Sequence, residues 1–323
     1  MEYQVLRGTG IKVSRLCLGT MTFGEQATEE EARRMIDRSL EAGVNFIDCA
    51  DAYVGGKSEE IVGRALQGRR QRVVLASKVR MAAGPDPHKD QGLHRWHVIH
   101  GVEACLKRLQ TDCLDLCYLH APDYQTPIEE TLAAFDLLVQ QGKVVSVGMS
   151  NYAAWQMCEA LWRCDRRNWA PPVVMQVVYN LVARSLEAEC KAFAARMNMG
   201  MVVYNPLAGG LLTGKHRLAR GPEAGTRFEI KKNYYDRYWS PSHFAAVEEL
   251  AKLAAQAGKS PAQLALQWVL SQPHVDSVII GVSKEAQLEE NLRFAEGRLD
   301  EETLKGCDAV WQGLRGDHFG YNR

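Results

Sequence analysis

The sequence predicts an α/β fold, a closed (β/α)8 barrel of the TIM type, and three observations carry this prediction. Eight short apolar runs rich in Val, Ile and Leu recur along the 323 residues. They do not alternate polar with apolar positions, which is typical of parallel strands covered on both faces. Helical patterns separate them, and no change in composition marks a second domain. We therefore expect a single barrel domain over residues 1–323.

Each strand of the predicted barrel is placed by one apolar run. The runs are Leu16–Gly19, Asn45–Cys49, Val73–Val79, Leu114–His120, Val144–Ser150, Val173–Tyr179, Gly200–Asn205 and Asp276–Gly281. A doubly wound open sheet is the alternative, but it would carry G-x-G-x-x-G after its first strand. Gly8-Thr9-Gly10 lacks the third glycine and precedes the first buried strand. It instead predicts an N-terminal hairpin of Tyr3–Leu6 and Ile11–Ser14 that covers the barrel floor.

The helices between the strands have recognisable starts. Thr28 and Glu31 form a capping box before an amphipathic segment that ends at Gly43. Three further N-caps are predicted at Ser58, Thr126 and Ser260. Other helices are expected over Leu186–Met197, Lys284–Phe294 and Glu301–Leu314, the last being an extra C-terminal helix.

The interval between the seventh and eighth strands is much longer than the others. It contains Ala208–Ser240, a stretch that mixes glycines with Arg, Lys and Tyr. Long loops inside a compact domain are usually functional. In a barrel we expect this loop to lie over the face that carries the active site.

Composition excludes several classes of partner. Lys and Arg number 39, as do Asp and Glu, so the chain has no basic field for nucleic acid or acidic membranes. No stretch approaches the roughly 18 apolar residues of a membrane span. The nine cysteines include no CxxC and are expected to be reduced, which predicts a cytoplasmic protein. His94, His97 and His100 have no completing carboxylate or Cys, so we predict no metal site.

Three polar residues end three successive apolar strands at the same end. Asp48 ends the second strand, Lys78 the third and His120 the fourth, and Tyr53 follows Asp48 closely. In a (β/α)8 barrel, chemistry belongs at these carboxyl ends. A buried charge needs a partner, and Asp48 and Lys78 on adjacent strands would supply one another. Taken singly, each has an ordinary structural explanation, but their joint occurrence favours an active site.

At these residues the chain resembles the aldo-keto reductase superfamily, which consists of NADPH-dependent barrel oxidoreductases. The resemblance covers nearly the whole chain. It looks most like the bacterial aryl-alcohol-dehydrogenase-like reductases and the β subunits of voltage-gated potassium channels. Its motifs are Leu18–Gly24, Asp48–Tyr53 with Gly56–Glu59, Ser77-Lys78, Leu119-His120, Gly148–Asn151, Asn205–Leu207, Leu212–Lys215 and Gly281–Ser283.

The resemblance implies a catalytic tetrad of Asp48, Tyr53, Lys78 and His120. A hydride that arrives at a carbonyl carbon leaves negative charge on oxygen, which must be protonated or held by donors. A phenol with an ordinary pKa of about 10 is a reluctant acid. The Lys78 ammonium would favour the phenolate of Tyr53, and Asp48 would hold the lysine. His120 would bind the carbonyl oxygen and orient the substrate.

The resemblance also implies a dinucleotide site, with NADPH rather than NADH as the cofactor. Ser150, Asn151 and Gln176 match the positions that bind the nicotinamide carboxamide, and Tyr204 matches the aromatic that stacks on the ring. The remaining matching positions are Thr20, Met21, Gln26, Asp48, Asn205, Pro206, Leu207, Gly209, Lys215, Gly281, Ser283, Gln287, Glu290 and Asn291. Many relatives have an arginine at the position of Ser283; here Lys284 and Arg227 could bind the 2′-phosphate instead.

The function predicted from the sequence is NADPH-dependent reduction of an aldehyde or ketone. The first alternative is a regulatory or binding subunit on the same scaffold; such subunits commonly have Asn at the position of His120. The second is an aldolase with Lys78 as a Schiff-base nucleophile, which the cofactor motifs disfavour. The expected partner is a small-molecule carbonyl substrate. A homo-oligomer is compatible with the sequence.

Overall fold

The computed structural model describes residues 1–86 and 88–316, and its strands form one hairpin and one closed barrel. The hairpin pairs β1 (Tyr3–Val5) with β2 (Lys12–Ser14) in antiparallel register. The parallel barrel strands follow chain order: β3 (Leu16–Gly19), β4 (Phe46–Asp48), β5 (Val74–Val79), β6 (Leu114–Leu119), β7 (Val144–Ser150), β8 (Pro172–Val178), β9 (Gly200–Tyr204) and β10 (Ser277–Gly281). The predicted fold class is confirmed, and every predicted strand is matched to within one residue at each end.

The helices complete the β/α repeat. They are α1 (Glu29–Glu41), α2 (Lys57–Ala65), α3 (Arg95–Leu109), α4 (Ile128–Gln140), α5 (Ala154–Arg167), α6 (Cys190–Arg196), α7 (Arg227–Ile230), α8 (Lys232–Tyr238), α9 (Pro241–Gln256), α10 (Pro261–Leu270), α11 (Glu285–Phe294) and α12 (Glu301–Arg315). The last confirms the predicted C-terminal helix. Within the described chain, no helix is both long and apolar enough to cross a membrane.

The chain divides into two compact units. The first, called the barrel unit, comprises Met1–Val177, Leu186–Tyr204 and His274–Leu292. The second, called the insertion unit, comprises Val178–Ser185, Asn205–Pro273 and the described residues from 293 onward. Residues 317–323 of the predicted domain, like Pro87, lie outside the described residues.

The hairpin closes the amino end of the barrel. Leu6 and Val13 are fully buried and belong to the same apolar cluster as Cys17, Phe46 and Val74. The last three lie at or near the starts of β3, β4 and β5, so the hairpin covers the end of the barrel opposite the carboxyl ends of the strands. The predicted barrel floor is confirmed.

The ring closes where the first barrel strand meets the last. Leu16 of β3 pairs with Val278 of β10, and the register continues to Gly19 and Gly281. Outside this seam, Arg34 bonds Glu285 and Arg38 bonds Glu289, each at 2.5 Å, which links α1 to α11. These ion pairs are exposed and contribute little compared with the strand pairing.

Two of the predicted helix caps are confirmed. The Thr28 hydroxyl accepts from the Glu31 N–H while the Glu31 carboxylate accepts from the Thr28 N–H, which completes the capping box. Ser260 caps α10 by accepting from the Gln263 N–H at 3.2 Å. Both caps are local motifs, and among the described residues their side chains bond only to groups three positions away.

The other two predicted caps are wrong because their hydroxyls bond elsewhere. Ser58 lies inside α2, whose N-cap is Gly56 at a φ of 88°, and its hydroxyl donates to the Thr20 carbonyl at 2.8 Å. The N-cap of α4 is Pro127, and the neighbouring Thr126 hydroxyl donates to Asp123 at 2.8 Å.

The insertion unit contains most of the long interval before β10. Two short helices, α7 and α8, lie within the stretch predicted as a loop. The sequence reasoning missed α9, although Ser240-Pro241 repeats the cap-and-proline signal that located α10. Helix α9 packs against α12 and α10, and Trp268 of α10 packs on Tyr179 with ring centroids 5.0 Å apart.

Candidate active site

The four predicted catalytic residues all lie in the barrel unit, at the carboxyl ends of three neighbouring strands. Asp48 is the last residue of β4, Lys78 lies one residue before the end of β5, and His120 directly follows β6. Tyr53 begins a 3₁₀ turn in the loop after β4. Parallel pairing of β4 with β5 and of β5 with β6 sets these ends side by side.

The Lys78 ammonium donates three hydrogen bonds, which use all of its protons. Its acceptors are the Asp48 carboxylate, the Cys49 carbonyl oxygen at 2.7 Å and the Tyr53 hydroxyl oxygen at 3.1 Å. Lys78 and Asp48 are almost completely buried, with exposed fractions of 1% and 2%. The expected ion pair is therefore present, and its cation contacts the phenol oxygen.

The charge of Lys78 is maintained despite its burial. Burial alone disfavours an ammonium, but attraction to Asp48 and to Tyr53 outweighs it, so the pKa of Lys78 lies above its usual value. The lysine stays protonated throughout the physiological range. It can therefore stabilise negative charge on the Tyr53 oxygen.

His120 stands beside this cluster as a neutral imidazole. Burial, Lys78 and Arg80 together lower the pKa of His120 to about 3. Its ring meets the Tyr53 ring edge-on, with centroids 6.1 Å apart. Nδ1 is buried and has no hydrogen-bond partner among the described residues. A neutral imidazole offers one N–H donor and one acceptor to a polar ligand.

The residues predicted to bind the nicotinamide carboxamide lie next to the tetrad. Gln176 of β8 donates from Nε2 to the second Asp48 oxygen at 2.8 Å. Asn151, which follows β7 with a φ of 65°, donates from Nδ2 to the His120 carbonyl at 3.0 Å and to Ser150 Oγ at 3.1 Å. The Tyr204 hydroxyl donates to Asn151 Oδ1 at 2.7 Å. The structure therefore brings these four residues together with Asp48 and His120.

Predicted cofactor positions near β3 and β10 also lie in the barrel unit. Thr20 is buried and donates from its hydroxyl to the Asp48 carbonyl at 3.0 Å. Gln287 Oε1 accepts from the Ser283 N–H at 2.9 Å, so its side chain caps the turn that opens α11. The other positions are a half-buried Met21, exposed Gln26, Gly281 and Glu290, and a buried Asn291.

The remaining predicted cofactor positions lie in the insertion unit. Asn205, at a φ of 63°, donates from Nδ2 to the Tyr238 hydroxyl at 2.8 Å and accepts from the Gly209 N–H at 2.6 Å. Gly209 has a φ of 70°, and a Cβ there would lie 2.7 Å from the Tyr234 ring. The other positions are Pro206, Leu207, an exposed Lys215 and Arg227, whose guanidinium lies 5.3 Å from the Tyr234 ring centroid.

The donor set of the barrel unit fits a nicotinamide ring. A carboxamide presents one acceptor and two N–H donors, and Ser150, Asn151 and Gln176 supply a hydroxyl and two primary amides. The unpartnered Nδ1 of His120 is a further polar atom suited to a ligand.

Three features of the site were not expected from the sequence. Gln176 supports Asp48, although the two residues are 128 positions apart. Asp51 is buried with its carboxylate 4.0 Å from His97 Nε2. Arg80 adjoins His120, because the His120 N–H donates to the Val79 carbonyl at 3.1 Å. The signal for Arg80 was its position two residues after Lys78.

The histidine cluster that raised the question of a metal has a structural role. His94 caps α3 by accepting from the His97 N–H at 3.3 Å. Among residues 1–86 and 88–316, no group of three or more His, Cys, Asp or Glu side chains is arranged to hold a metal ion.

The fold is that of the (β/α)8 barrels, a class of protein in which chemistry is done at the carboxyl ends of the strands. The model of the aldo/keto reductase family matches residues 15–312, so the chain belongs to that family of oxidoreductases. The resemblance inferred from the motifs is confirmed.

Individual relatives carry different names. The chain is 37% identical to a probable voltage-gated potassium channel subunit beta of Arabidopsis thaliana over 303 residues, covering 92% of each chain. It is 37% identical over 327 residues to the uncharacterized oxidoreductase YrpG of Bacillus subtilis, covering 98% of each. It is 36% identical over 312 residues to human aflatoxin B1 aldehyde reductase member 2, covering 91% of this chain and 85% of the relative.

Proposed function

We propose that the protein is an NADPH-dependent carbonyl reductase that converts aldehydes or ketones to alcohols. The observation that carries the proposal is the Lys78 ammonium, which donates at once to Asp48, to the Cys49 carbonyl and to the Tyr53 hydroxyl. A lysine held in this way makes its tyrosine a better acid. The names of the aldehyde reductase and oxidoreductase relatives agree with this activity.

Tyr53 is the proposed general acid. A nicotinamide nucleotide held by Ser150, Asn151 and Gln176 would supply the hydride that the carbonyl carbon receives. The carbonyl oxygen then takes the proton of the Tyr53 hydroxyl, which leaves a phenolate beside Lys78. Because Lys78 keeps its charge, the phenolate is stabilised where it forms. A proton from water restores the phenol, and in the reverse direction the phenolate accepts the alcohol proton.

His120 is the proposed orienting group. Its low pKa keeps the imidazole neutral, so it binds the carbonyl oxygen by hydrogen bonding without competing as an acid. Asn151 helps to position the His120 backbone, because its Nδ2 donates to the His120 carbonyl oxygen at 3.0 Å.

NADPH is proposed over NADH on grounds of charge. The 2′-phosphate calls for a cation; Arg227 and Lys284 are the candidates, while Lys215 matches the pyrophosphate-binding stretch. Arg227 and Lys215 belong to the insertion unit, and Lys284 is exposed at the start of α11. A Lys284→Gln variant with unchanged NADPH affinity would remove that residue from the candidates.

A regulatory or binding subunit is the second candidate. The channel-subunit name of the Arabidopsis relative favours it. A subunit of this kind would bind nucleotide with weak turnover, whereas the intact set of Tyr53, Lys78 and His120 favours an enzyme. The nine cysteines are unpaired, which fits a reducing compartment, and we propose the cytoplasm. A homo-oligomer stays a prediction, and size-exclusion chromatography would test it.

Fluorescence titration with NADPH and NADH, followed by turnover of a panel of aldehydes and ketones, tests the proposal. Tyr53→Phe should lower kcat by about 10²–10⁴, the usual contribution of a general acid, while NADPH affinity changes little. Near-normal turnover in this variant would remove the assignment of Tyr53. Tight NADPH binding without turnover would favour the subunit, and binding of neither nucleotide would overturn both candidates.

A further inference from the structure

Arg80 lies at the edge of the proposed active site, and its one effect described so far is to help lower the pKa of His120. It directly follows β5, two residues beyond Lys78. The peptide group that joins Val79 to Arg80 accepts the His120 N–H at 3.1 Å. Arg80 is therefore attached to the backbone of the histidine proposed to orient the substrate.

The backbone of Arg80 has a conformation that residues other than glycine rarely adopt. Its φ is 148°, and positive φ is uncommon for a residue with a side chain. The Arg80 carbonyl accepts from the Gly92 N–H at 2.8 Å, and its N–H faces the Asp51 carboxylate, whose pKa it lowers. Backbone strain persists only where surrounding structure enforces it, and it concentrates at functional sites.

The Arg80 guanidinium forms no ion pair with any carboxylate of the described residues. No described Asp or Glu oxygen lies within 4.0 Å of it, and its one hydrogen bond runs from an Nη to the Met81 sulfur at 3.4 Å, a weak acceptor. Its Nε is buried and unpartnered among the described residues. Asp123 is nearby, but it already accepts from the Leu93 and Gln125 N–H groups and from the Thr126 hydroxyl.

Arg80 adds to the charged groups around the reacting position. Lys78 and Asp48 form a neutral pair, and His120 carries no charge at physiological pH. Arg80 adds a positive charge beside His120; it helps to lower the pKa of the nearby Asp123 carboxyl but forms no ion pair with it among the described contacts. A partly buried cation without a partner has lost solvation that an anion can replace.

We propose that Arg80 binds an anionic group of the substrate, so that the preferred substrates are carbonyl compounds carrying a carboxylate or a phosphate. This inference rests on the proposed carbonyl reduction and names its substrate class. With the carbonyl oxygen between Tyr53 and His120, the remainder of the substrate extends past His120 to the guanidinium. A planar guanidinium binds either anion through two parallel hydrogen bonds.

Matched substrates test the charge preference directly. They are para-carboxybenzaldehyde, para-formylphenyl phosphate and the uncharged methyl para-formylbenzoate. We expect the wild type to favour an anionic aldehyde over the ester in kcat/KM by about ten- to hundredfold, the range of a hydrogen bond to a charged group. The carboxylate and phosphate arms identify which anion is preferred. The preference should weaken as salt is added, because salt screens the attraction.

Arg80→Gln should abolish the preference while leaving turnover of the ester nearly unchanged, and Arg80→Lys should retain part of it. Arg33→Gln, which removes an exposed arginine of α1, is the matched control and should behave as wild type. Equal turnover of ester and anions by the wild type would overturn the inference. So would an equal loss on all three substrates in Arg80→Gln, which indicates a structural role.

A binding measurement separates this inference from the proposed function. Isothermal titration calorimetry with para-(hydroxymethyl)benzoate requires no turnover. Weaker binding to Arg80→Gln than to wild type supports the anion site even if no aldehyde is reduced, a result that would count against the reductase alone. Equal binding to both proteins contradicts the anion site. Turnover of the ester supports the reductase whatever the role of Arg80.

Discussion

Two buried pairs of ionisable side chains lie close together in the sequence, one starting at Asp48, the last residue of β4, and the other at Asp51 in the loop that follows, and they differ in their hydrogen bonding. Asp48 is saturated: one oxygen bonds Lys78 and the other accepts from Gln176 at 2.8 Å. Asp51 is equally buried, but neither of its oxygens makes a hydrogen bond of normal geometry, and His97 Nε2 is 4.0 Å away. The first pair has many partners and the second has almost none.

The difference appears in the protonation states. Lys78 keeps its charge because Asp48 and Tyr53 outweigh its burial. Burial and the nearby Glu59 raise the pKa of Asp51 to about 7, and the N–H groups of Ala52 and Arg80 offset this only partly. Burial, followed by His94, lowers the pKa of His97. Hydrogen-bonding partners, and not burial alone, therefore decide whether a buried group stays charged.

The largest effect on stability and turnover is expected from breaking the pair of Asp48 and Lys78. Lys78→Met leaves the Asp48 charge buried without its partner, which should lower the free energy of unfolding by about 3–5 kcal/mol and abolish turnover. The Asp48→Asn/Lys78→Met double variant should recover much of the stability and none of the activity. Urea denaturation and a turnover assay measure the two quantities. A single variant as stable as wild type would contradict the account of this pair.

Replacing Asp51, the carboxyl of the pair with His97, should increase the free energy of unfolding at high pH. The folded-state pKa of Asp51 is raised from 3.8 to about 7, so wild type loses stability as pH rises through that interval. Asp51→Asn should remove this loss and gain up to about 4 kcal/mol over wild type at alkaline pH, at about 1.4 kcal/mol per pKa unit. Denaturation at acidic and alkaline pH measures it, with the exposed Asp112→Asn as control. A pH-independent difference from wild type would contradict the raised pKa.

A smaller effect should follow from removing one support of Asp48. Gln176→Leu deletes the donor to its second oxygen, a hydrogen bond to a charged group that contributes about 1.5–3 kcal/mol. Turnover should fall together with stability. Gln267→Leu is the matched control, because Gln267 donates at 2.9 Å to the Phe294 carbonyl in the insertion unit. Equal loss of turnover in both variants would show that the effect is not specific to Asp48.

The smallest effect is expected from His97→Gln. Because the pKa of His97 is lowered in the folded protein, wild type loses stability as pH falls below about 6.5, the ordinary value for histidine. The variant should lack this loss, so its stability relative to wild type should rise on acidification. This is opposite in sign to the effect of Asp51. A His97→Gln profile parallel to that of wild type would show that His97 does not titrate differently on folding.

Elements that depend on local sequence could be predicted. Continuous apolar runs identified the eight strands, since a strand covered on both faces requires them. Thr28 and Ser260 caps were correct because their partners lie three residues away. Ser58 and Thr126 show the same pattern, but their hydroxyls bond elsewhere. The Ser58 hydroxyl bonds to the distant Thr20, a tertiary contact that leaves no local signature, and the Thr126 hydroxyl bonds to Asp123 in the preceding loop.

The site followed the same rule. Asp48, Lys78 and His120 could be grouped because each ends an apolar strand. The sequence predicted Gln176 only as a ligand of the nicotinamide carboxamide. Its hydrogen bond to Asp48 was not predicted, because only the barrel fold brings these two residues together. Asp51 and Arg80 were passed over because their properties arise from missing partners, which only three-dimensional placement reveals.

Closure of the ring between β3 and β10 has a consequence for synthesis of the chain. β3 is translated long before its partner on one side, Ser277–Gly281. Until then one edge of β3 exposes unpaired N–H and C=O groups, to which another nascent chain could add. At four residues β3 is short, which limits this hazard. Chains truncated before Ser277 should therefore aggregate, whereas full-length chains should close slowly and stay soluble.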